Sequence, residues 1–369
     1  MNIYNLNAIN IKNNNIYFIN ISLWKQKTLK DIFKTDINNV LFISIKELSR
    51  INQTNNNLFV VWGINNLEKI KDIYPDKKFS VIEDGFIRSK ALGSDLSPPL
   101  SIVYDEIGIY FDPRSESGLE RLISTYSLTD MDKKEGFNIK KTLLENNISK
   151  YNISVNIEDD IYSKNPKKKI KIIIGQVEDD ASIIFGSNSI KTNLDLLKEV
   201  FNSKEENDLL IYKPHPDVTV GNRVGSIDIN VANLYCDYID SVTPISNILK
   251  HNNIEIHTIT SLTGFENILR GNKTYCYGNP FYAGWGFTYD MEMPQYIKNR
   301  RKDLSINDFF TYSYIKYPIY YSNISGELTD INEVISIIKN TKEIKIDSLY
   351  MKIRRKIVNL FKDLKNART

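Results

Sequence analysis

The sequence predicts an α/β protein made of two Rossmann-like domains that face each other across a cleft. Three observations predict it. At 369 residues the chain is longer than one core usually serves, since single cores stop growing near ~250–300 residues. Short β-branched runs alternate with stretches of helical apolar spacing, the pattern of a parallel sheet covered by helices. The polar, basic stretch Ser163-Lys164-Asn165-Pro166-Lys167-Lys168-Lys169 stands directly before one such run, and segments of that kind join domains.

Taken in order, 40–45, 58–62 and 79–82 read as buried strands of the first domain, and 67–73 and 119–126 as its helices. Residues 102–112 read as a hairpin, Ile102-Val103-Tyr104 against Ile109-Tyr110-Phe111. In the second half, 170–174 is a β-branched strand followed by the loop 175–180. Residues 192–201 carry Leu194, Leu197 and Phe201 at helical spacing. Residues 209–212 form a strand ending at Lys213-Pro214-His215-Pro216. A strand at 254–259 leads through Ser261-Leu262-Thr263-Gly264 into a helix at 265–270, and 273–277 is a further strand. The expected limits are 1–163 for the first domain, 164–345 for the second and 346–369 for a basic amphipathic helix. In that last segment Tyr350, Ile353, Ile357, Leu360, Phe361 and Leu364 recur at helical spacing, which suits either a membrane surface or packing across the two lobes.

Composition narrows the function. A chain 41% hydrophobic and 25% charged is neither disordered, collagen-like nor a coiled coil. Two cysteines, Cys236 and Cys276, make no disulfide framework, and three histidines without a Cys-x-x-Cys pair argue against structural zinc. No apolar run approaches the ~18 residues of a membrane span, and the start is polar, so the expectation is a soluble cytoplasmic protein. Net charge is +3, yet 348–369 holds seven basic residues and one acid, +6, leaving −3 for the rest. That balance argues against a nucleic-acid partner.

In open parallel sheets, ligands bind beyond the carboxyl ends of the strands. Four polar clusters fall at such ends: Glu83-Asp84-Gly85, Asp179-Asp180, Lys213-Pro214-His215-Pro216 and Ser261-Leu262-Thr263-Gly264. The last opens a helix, where free N–H groups suit a phosphate and Glu266 suits ribose hydroxyls, although an N-cap with tight packing explains it as well. His215, stiffened by two prolines, reads as an aimed cation beside Lys213 or as a turn residue. His257 reads as a half-buried strand residue and His251 as an exposed helix end. Carboxylates facing each other across a cleft are what glycosyl transfer needs, whereas acids in loops usually face water. Asp95 and Asp105 have no separate claim. The stretch Asn279-Pro280-Phe281-Tyr282-Ala283-Gly284-Trp285-Gly286 suits either a cleft wall or a buried connection between lobes. Arg88-Ser89-Lys90-Ala91-Leu92-Gly93-Ser94 offers cations and small residues after the first acidic pair.

Six ordered strings, IEDGFIRSKALGSDLSPPLS, GIYFDP, GQVEDDASI, KPHPDVTVGNRVG, HTITSLTGFENILRG and YGNPFYAGWGFTYD, resemble the bacterial capsule-polysaccharide synthesis family typified by KpsC. The likeness runs from about Phe79 to Gly326 and includes RRKDLSINDFF and YPIYY. It implies a two-lobed GT-B-like fold and a retaining β-Kdo glycosyltransferase that uses CMP-β-Kdo. The implied acceptor is a Kdo-terminated oligosaccharide on lyso-phosphatidylglycerol. The first domain would be the acceptor side and the second would hold the donor. Family members often carry two modules in tandem; the likeness here covers one, nearer the second, β-(2→7)-forming kind. By that resemblance Asp180 is the nucleophile, Glu83 the acid/base, Lys213 and His215 the phosphate contacts, and Ser261, Thr263, Gly264 and Glu266 the nucleotide pocket. Arg88 and Arg223 are inferred for the Kdo carboxylate or the phosphate. No cofactor or metal site is expected, with Mg²⁺ confined to donor supply. Further implied partners are the inner face of the cytoplasmic membrane, a second Kdo transferase and capsule-export machinery. The rival readings are an inverting sialyltransferase-like enzyme on CMP-sialic acid and a non-catalytic capsule-assembly scaffold.

Overall fold

The computed structural model describes residues 15–54, 56–89, 98–150, 161–219, 221 and 223–340. The helix expected at 346–369, Asp95 and the stretch 90–97 lie outside the described residues. Strands β1 (Asn15–Ile19), β2 (Asn39–Ile43), β3 (Asn57–Trp62), β4 (Ser80–Asp84) and β5 (Ser101–Asp105) come first in the chain. Next come β6 (Lys169–Ile174), β7 (Asp208–Lys213), β8 (Tyr238–Ile239), β9 (Ile254–Thr258), β10 (Lys273–Cys276) and β11 (Tyr289–Asp290), and β12 (Ile319–Ser322) and β13 (Glu327–Thr329) close it.

They form two sheets, ordered β13-β12-β5-β4-β3-β1-β2 and β11-β10-β9-β6-β7-β8. The second is parallel throughout. Numbered from β6, its order is the 3-2-1-4-5-6 of the doubly wound dinucleotide fold, and its switch point lies between β6 and β9. In the first sheet β1 to β4 are parallel, while β5, β12 and β13 are antiparallel to their neighbours. Its switch point lies between β1 and β3. The architecture is α/β, GT-B-like, with two Rossmann-like lobes. β6 reads as expected because its β-branched residues are buried on both faces.

Two expectations are corrected. The second domain does not keep the chain to residue 345, because β12 and β13 return to the first sheet and cover its β5 edge. An unpaired edge there would expose a row of backbone donors and acceptors. The hairpin at 102–112 is absent: β5 pairs with β4 and β12 instead. Asp105 Oδ1 accepts the N–H groups of Ile107 and Gly108 at 2.9 and 3.0 Å, which turns the chain. Tyr110 then leaves the sheet to pack against Phe86 and Phe281.

The lobes share one apolar core. It runs from Val61, Val81 and Val103 of the first sheet through Phe86 to Phe265, Tyr282 and Trp285 of the second lobe. Phe86 stacks on Phe281 and on Tyr314, with centroids 4.8 and 5.1 Å apart. The aromatic stretch around Phe281 is therefore the buried connection. Arg301, 3% exposed, donates from Nε to Glu120 Oε1 at 2.7 Å and from Nη1 to the carbonyls of Pro280 and Ala283. Against this seam lies a buried π-helical turn, Thr311–Lys316. Thr311 comes so close to the helix Asp130–Glu145 that a Cβ on Gly136 would meet Thr311 Oγ1 at 1.9 Å. Among the described residues no helix is long and apolar enough to cross a membrane.

Candidate functional site

The carboxyl ends of β1, β3 and β4 lie level, with Ile19 beside Val61 and Trp62 beside Ile82. Glu83 and Asp84 end β4 there. Glu83 Oε1 accepts from Trp62 Nε1 at 3.0 Å and from Asp84 N at 3.1 Å. Burial, followed by the neighbouring Asp84 charge, pushes the Glu83 carboxyl up to about 7, with Lys25 and Lys150 opposing. Lys25 comes from the helix Leu23–Phe33 that follows β1, and its Nζ lies 3.2 Å from the Trp62 ring centroid. Burial lowers it to about 8, with Asp84 and Glu83 holding it up. Arg88, expected at the donor, is 1% exposed. It donates from Nε to Asp84 Oδ2 at 2.7 Å, so it holds Asp84. Asp84 Oδ1 is buried and has no hydrogen-bond partner among the described residues.

In the second lobe the loops after β6, β7 and β9 meet at one edge, with Ile174 beside Lys213 and Ile173 beside His257. Asp180 is exposed and N-caps the helix Ala181–Gly186. Its Oδ1 accepts from Ser182 N at 2.9 Å and from Ser182 Oγ at 2.7 Å. Ser182 Oγ lies 3.1 Å from Thr260 Oγ1, which accepts from Gln176 Nε2 at 3.0 Å. Gln176 bridges the switch point: its Oε1 accepts from Thr258 Oγ1, Thr260 N and Ser261 N at 2.9–3.1 Å. Asn193 fixes this loop from below through both backbone groups of Gln176. It also donates to the Gly225 carbonyl and so latches the loop that carries Arg223. Arg223 pairs with Asp179 at 3.0 Å.

His215 Nδ1 accepts from Asp217 N at 3.2 Å, an assignment that leaves the proton of the neutral ring on Nε2. Burial lowers its pKa, opposed by Asp217 and Asp180. The expected cation is thus a neutral N–H donor near pH 7. Burial likewise lowers Lys213, whose Nζ lies 3.8 Å from Asp240 Oδ1. Ser261 N-caps the helix Leu262–Ile268 and takes the Thr263 N–H on its Oγ. Gly264, expected to leave its N–H free, donates it to Ser261 O. A Cβ there would meet Tyr282 Oη at 2.2 Å, so this glycine serves close packing. Glu266 is buried and raised by that burial, and its Oε1 accepts from Lys150 N at 3.0 Å. His257 is buried rather than half-buried, lies flat on Tyr275 and is driven down to about 3 by desolvation.

The two groups converge. Lys150 stands between them, with its N–H on Glu266 and its carbonyl receiving the N–H groups of Arg88 and Ser89. Tyr110 registers the meeting. Burial raises its phenol well above the ordinary value, and the charges acting on it are Lys150, Glu83, Asp84 and Asp180. The helix that Asp180 caps is seated on the first lobe by Arg114, whose guanidinium lies 3.8 Å from the Phe185 ring. A cavity of about 460 Å³ opens at the start of β4, among Glu68, Lys71, Lys78 and Arg114. None of the expected site residues lines it.

Lys25, Trp62, Lys150 and Gln176 escaped the sequence reading. Only Gln176 carried a signal, as a polar residue directly after a buried strand.

A family model described as capsule polysaccharide biosynthesis protein matches residues 60–320. The capsule polysaccharide modification protein LipA of Neisseria meningitidis serogroup B is 41% identical over 308 residues, 83% of this chain and 42% of LipA. The lipopolysaccharide-processing protein LpsZ of Rhizobium meliloti is 33% identical over 291 residues, 75% of this chain and 62% of LpsZ. The chain thus spans about two to three fifths of these curated relatives. Among solved structures, the Thermosulfurimonas dismutans KpsC β-Kdo 2,7 transferase matches with a TM-score of 0.69 at 31% identity, covering 89% of this chain and 100% of that one. The KpsC β-Kdo 2,4 transferase from the same organism gives 0.73 at 22% identity, covers 89% and 98%, and shares the fold.

Proposed function

The chain belongs to the capsule polysaccharide biosynthesis family, and from that premise we propose that it transfers Kdo from CMP-β-Kdo to a Kdo-terminated glycolipid with retention. The linkage we propose is β-(2→7), supported by the likeness to the structure titled as the 2,7 transferase. One observation carries the reading: Lys150 ties the strand-end groups of the two lobes together, its N–H on Glu266 Oε1 and its carbonyl on the N–H of Arg88, which holds Asp84 beside Glu83.

Asp180 is the nucleophile. Its Oδ1 is held by Ser182, and Oδ2 attacks C2 of the sugar. The C2–O bond to the phosphate breaks, and its electron pair leaves with CMP. The acceptor hydroxyl then attacks C2, its proton passes to Glu83, and the C2–Oδ2 bond returns its pair to Asp180. Two displacements give retention. A base near pKa 7 suits the second step, and Glu83 lies there. The donor brings two negative charges toward the carboxylates, costing about 4 kcal/mol per close like pair at an effective dielectric near 20. Lys150, Lys213 and Arg223 offset that charge, and His215 Nε2–H donates to the phosphate. The remaining contacts we assign to the donor are Ser261 and Thr263. The reading demands no metal, because these cations and donors already meet the donor's charge. We further propose that the protein works at the inner face of the cytoplasmic membrane, where a lipid-linked acceptor is presented.

The test uses CMP-Kdo, a Kdo-terminated acceptor and intact-mass analysis. Donor alone should leave a sugar adduct on Asp180, and Asp180→Ala should abolish transfer while CMP still binds. An adduct on Asp179, or an inverted product by NMR, sinks the nucleophile. Failure to release CMP with any acceptor sinks the enzyme reading in favour of a scaffold.

A further inference from the structure

Two side chains from outside every motif bracket Glu83, and the chemistry above leaves them unused. The strand order of the first sheet reverses between β1 and β3, and the crevice at such a switch point is where α/β sheets place ligands. Lys25 and Trp62 fill its mouth. Lys25 comes from the helix after β1, and Trp62 ends β3. Their contact is direct, 3.2 Å from ammonium to ring centroid. The same indole donates its N–H to Glu83 Oε1 at 3.0 Å, and Asp84 N donates to that oxygen at 3.1 Å. Oε1 is thereby occupied by two N–H donors, so a proton on this carboxyl sits on Oε2. Oε2 lies on the side of Gly63, whose φ of +79° requires glycine and where even an added Cβ would make only an ordinary contact at 3.4 Å.

We propose that Lys25 and Trp62 are positioning residues for Glu83: Trp62 fixes the carboxyl and directs proton exchange to Oε2, and Lys25, seated on the indole face, supplies the positive charge that favours the carboxylate. This rests on the reading of Glu83 as the base that takes the acceptor proton, and deepens it. A cation on the face of an indole draws density from the ring and makes its N–H a stronger donor. The charge and the hydrogen bond therefore act on Glu83 together. The groups facing the carboxyl are Asp84 on its own strand, Lys25 from the helix after β1 and Lys150 from the segment between the lobes. Tyr110 lies within the same field, and Arg88 acts on Lys25. Burial and Asp84 raise Glu83, while Lys25, the Asp84 N–H and Lys150 lower it.

Removing the Lys25 charge raises Glu83 further. A base that must be ionised then works only at higher pH. The measurement is the pH profile of Kdo transfer from CMP-Kdo, with melting curves to confirm folding. Lys25→Met should move the acidic limb up by about one pH unit, the lower end for a lost neighbouring charge. Transfer then falls about five-fold at pH 7 and returns to the wild-type rate in the alkaline plateau. Lys25→Arg should restore the wild-type limb. Trp62→Phe keeps a ring and deletes the donor, and should move the limb in the same direction. A merely structural role would lower the rate equally at every pH. A Lys25→Met limb that superimposes on wild type overturns the proposal, with Lys25→Gln as the substitute if Met unfolds the helix. Glu83→Gln separates the two readings. If it transfers normally, Glu83 is not the base, and that assignment fails together with the positioning role built on it. If it is inactive while Lys25→Met leaves the limb in place, only the positioning role fails.

Discussion

Glu83 shows what a single side chain carries here. Its carboxyl ordinarily ionises near 4.5 and is held at about 7 in the folded chain by burial and by Asp84. Between those two values the unfolded chain has released its proton while the folded chain keeps it, so stability falls as pH rises through that window and levels off above it. Glu83→Gln removes the titration. Relative to wild type it should gain about 1–3 kcal/mol on going from pH 4 to pH 8, read by urea unfolding at both. A gain independent of pH would show that the carboxyl is not desolvated. The residues at or just beyond strand ends, Glu83, Asp180, His215 and Ser261, were legible because a polar side chain after a buried run has few structural reasons to be there. Lys25 and Lys150 were not, because each reaches the site from a part of the chain with no polar cluster. Arg88 was legible as important but not in its role, since only the fold shows that its partner is Asp84.

At the scale of elements, the second-lobe strands were readable from β-branched runs buried on both faces. The aromatic run that becomes the π-helix and β12 has no period of two or of 3.6, and its place is set by stacking on Phe86 and Phe310. The supposed hairpin failed because Ile109 and Tyr110 fit a strand pattern while the Tyr110 ring packs on Phe86, Phe281 and Tyr317 instead of on a paired strand. The helix Leu262–Ile268 yields a sharp prediction. Its Gly264 packs under Tyr282, leaving 2.2 Å to Oη and 2.9 Å to Cζ for any added Cβ. Gly264→Ala should destabilise the protein by about 1–3 kcal/mol, measured by denaturant unfolding. Pairing it with Tyr282→Phe clears the nearer clash and should recover part of the loss. An unchanged midpoint for Gly264→Ala would mean that the tyrosine moves freely.

For the whole molecule, two lobes and a cleft followed from length and alternation alone. The return of β12 and β13 did not, because strand order in a sheet is a long-range property that no local window reports. The shared core and the Glu120–Arg301 pair make the lobes one cooperative body. Glu120→Ala leaves a buried guanidinium without its carboxylate, and should cost about 3–5 kcal/mol, with calorimetry still showing one transition. Two separate transitions would mean independent lobes. The crossing of β12 back onto β5 also bears on how the chain is made. About 200 residues separate the two strands, and at ~5–20 residues per second a ribosome needs roughly 10–40 s to deliver the second after the first. Throughout that interval β5 is a bare border at the exit tunnel, awaiting the closing strand, and a nascent chain is most open to capture by a chaperone or by its neighbour on the same message.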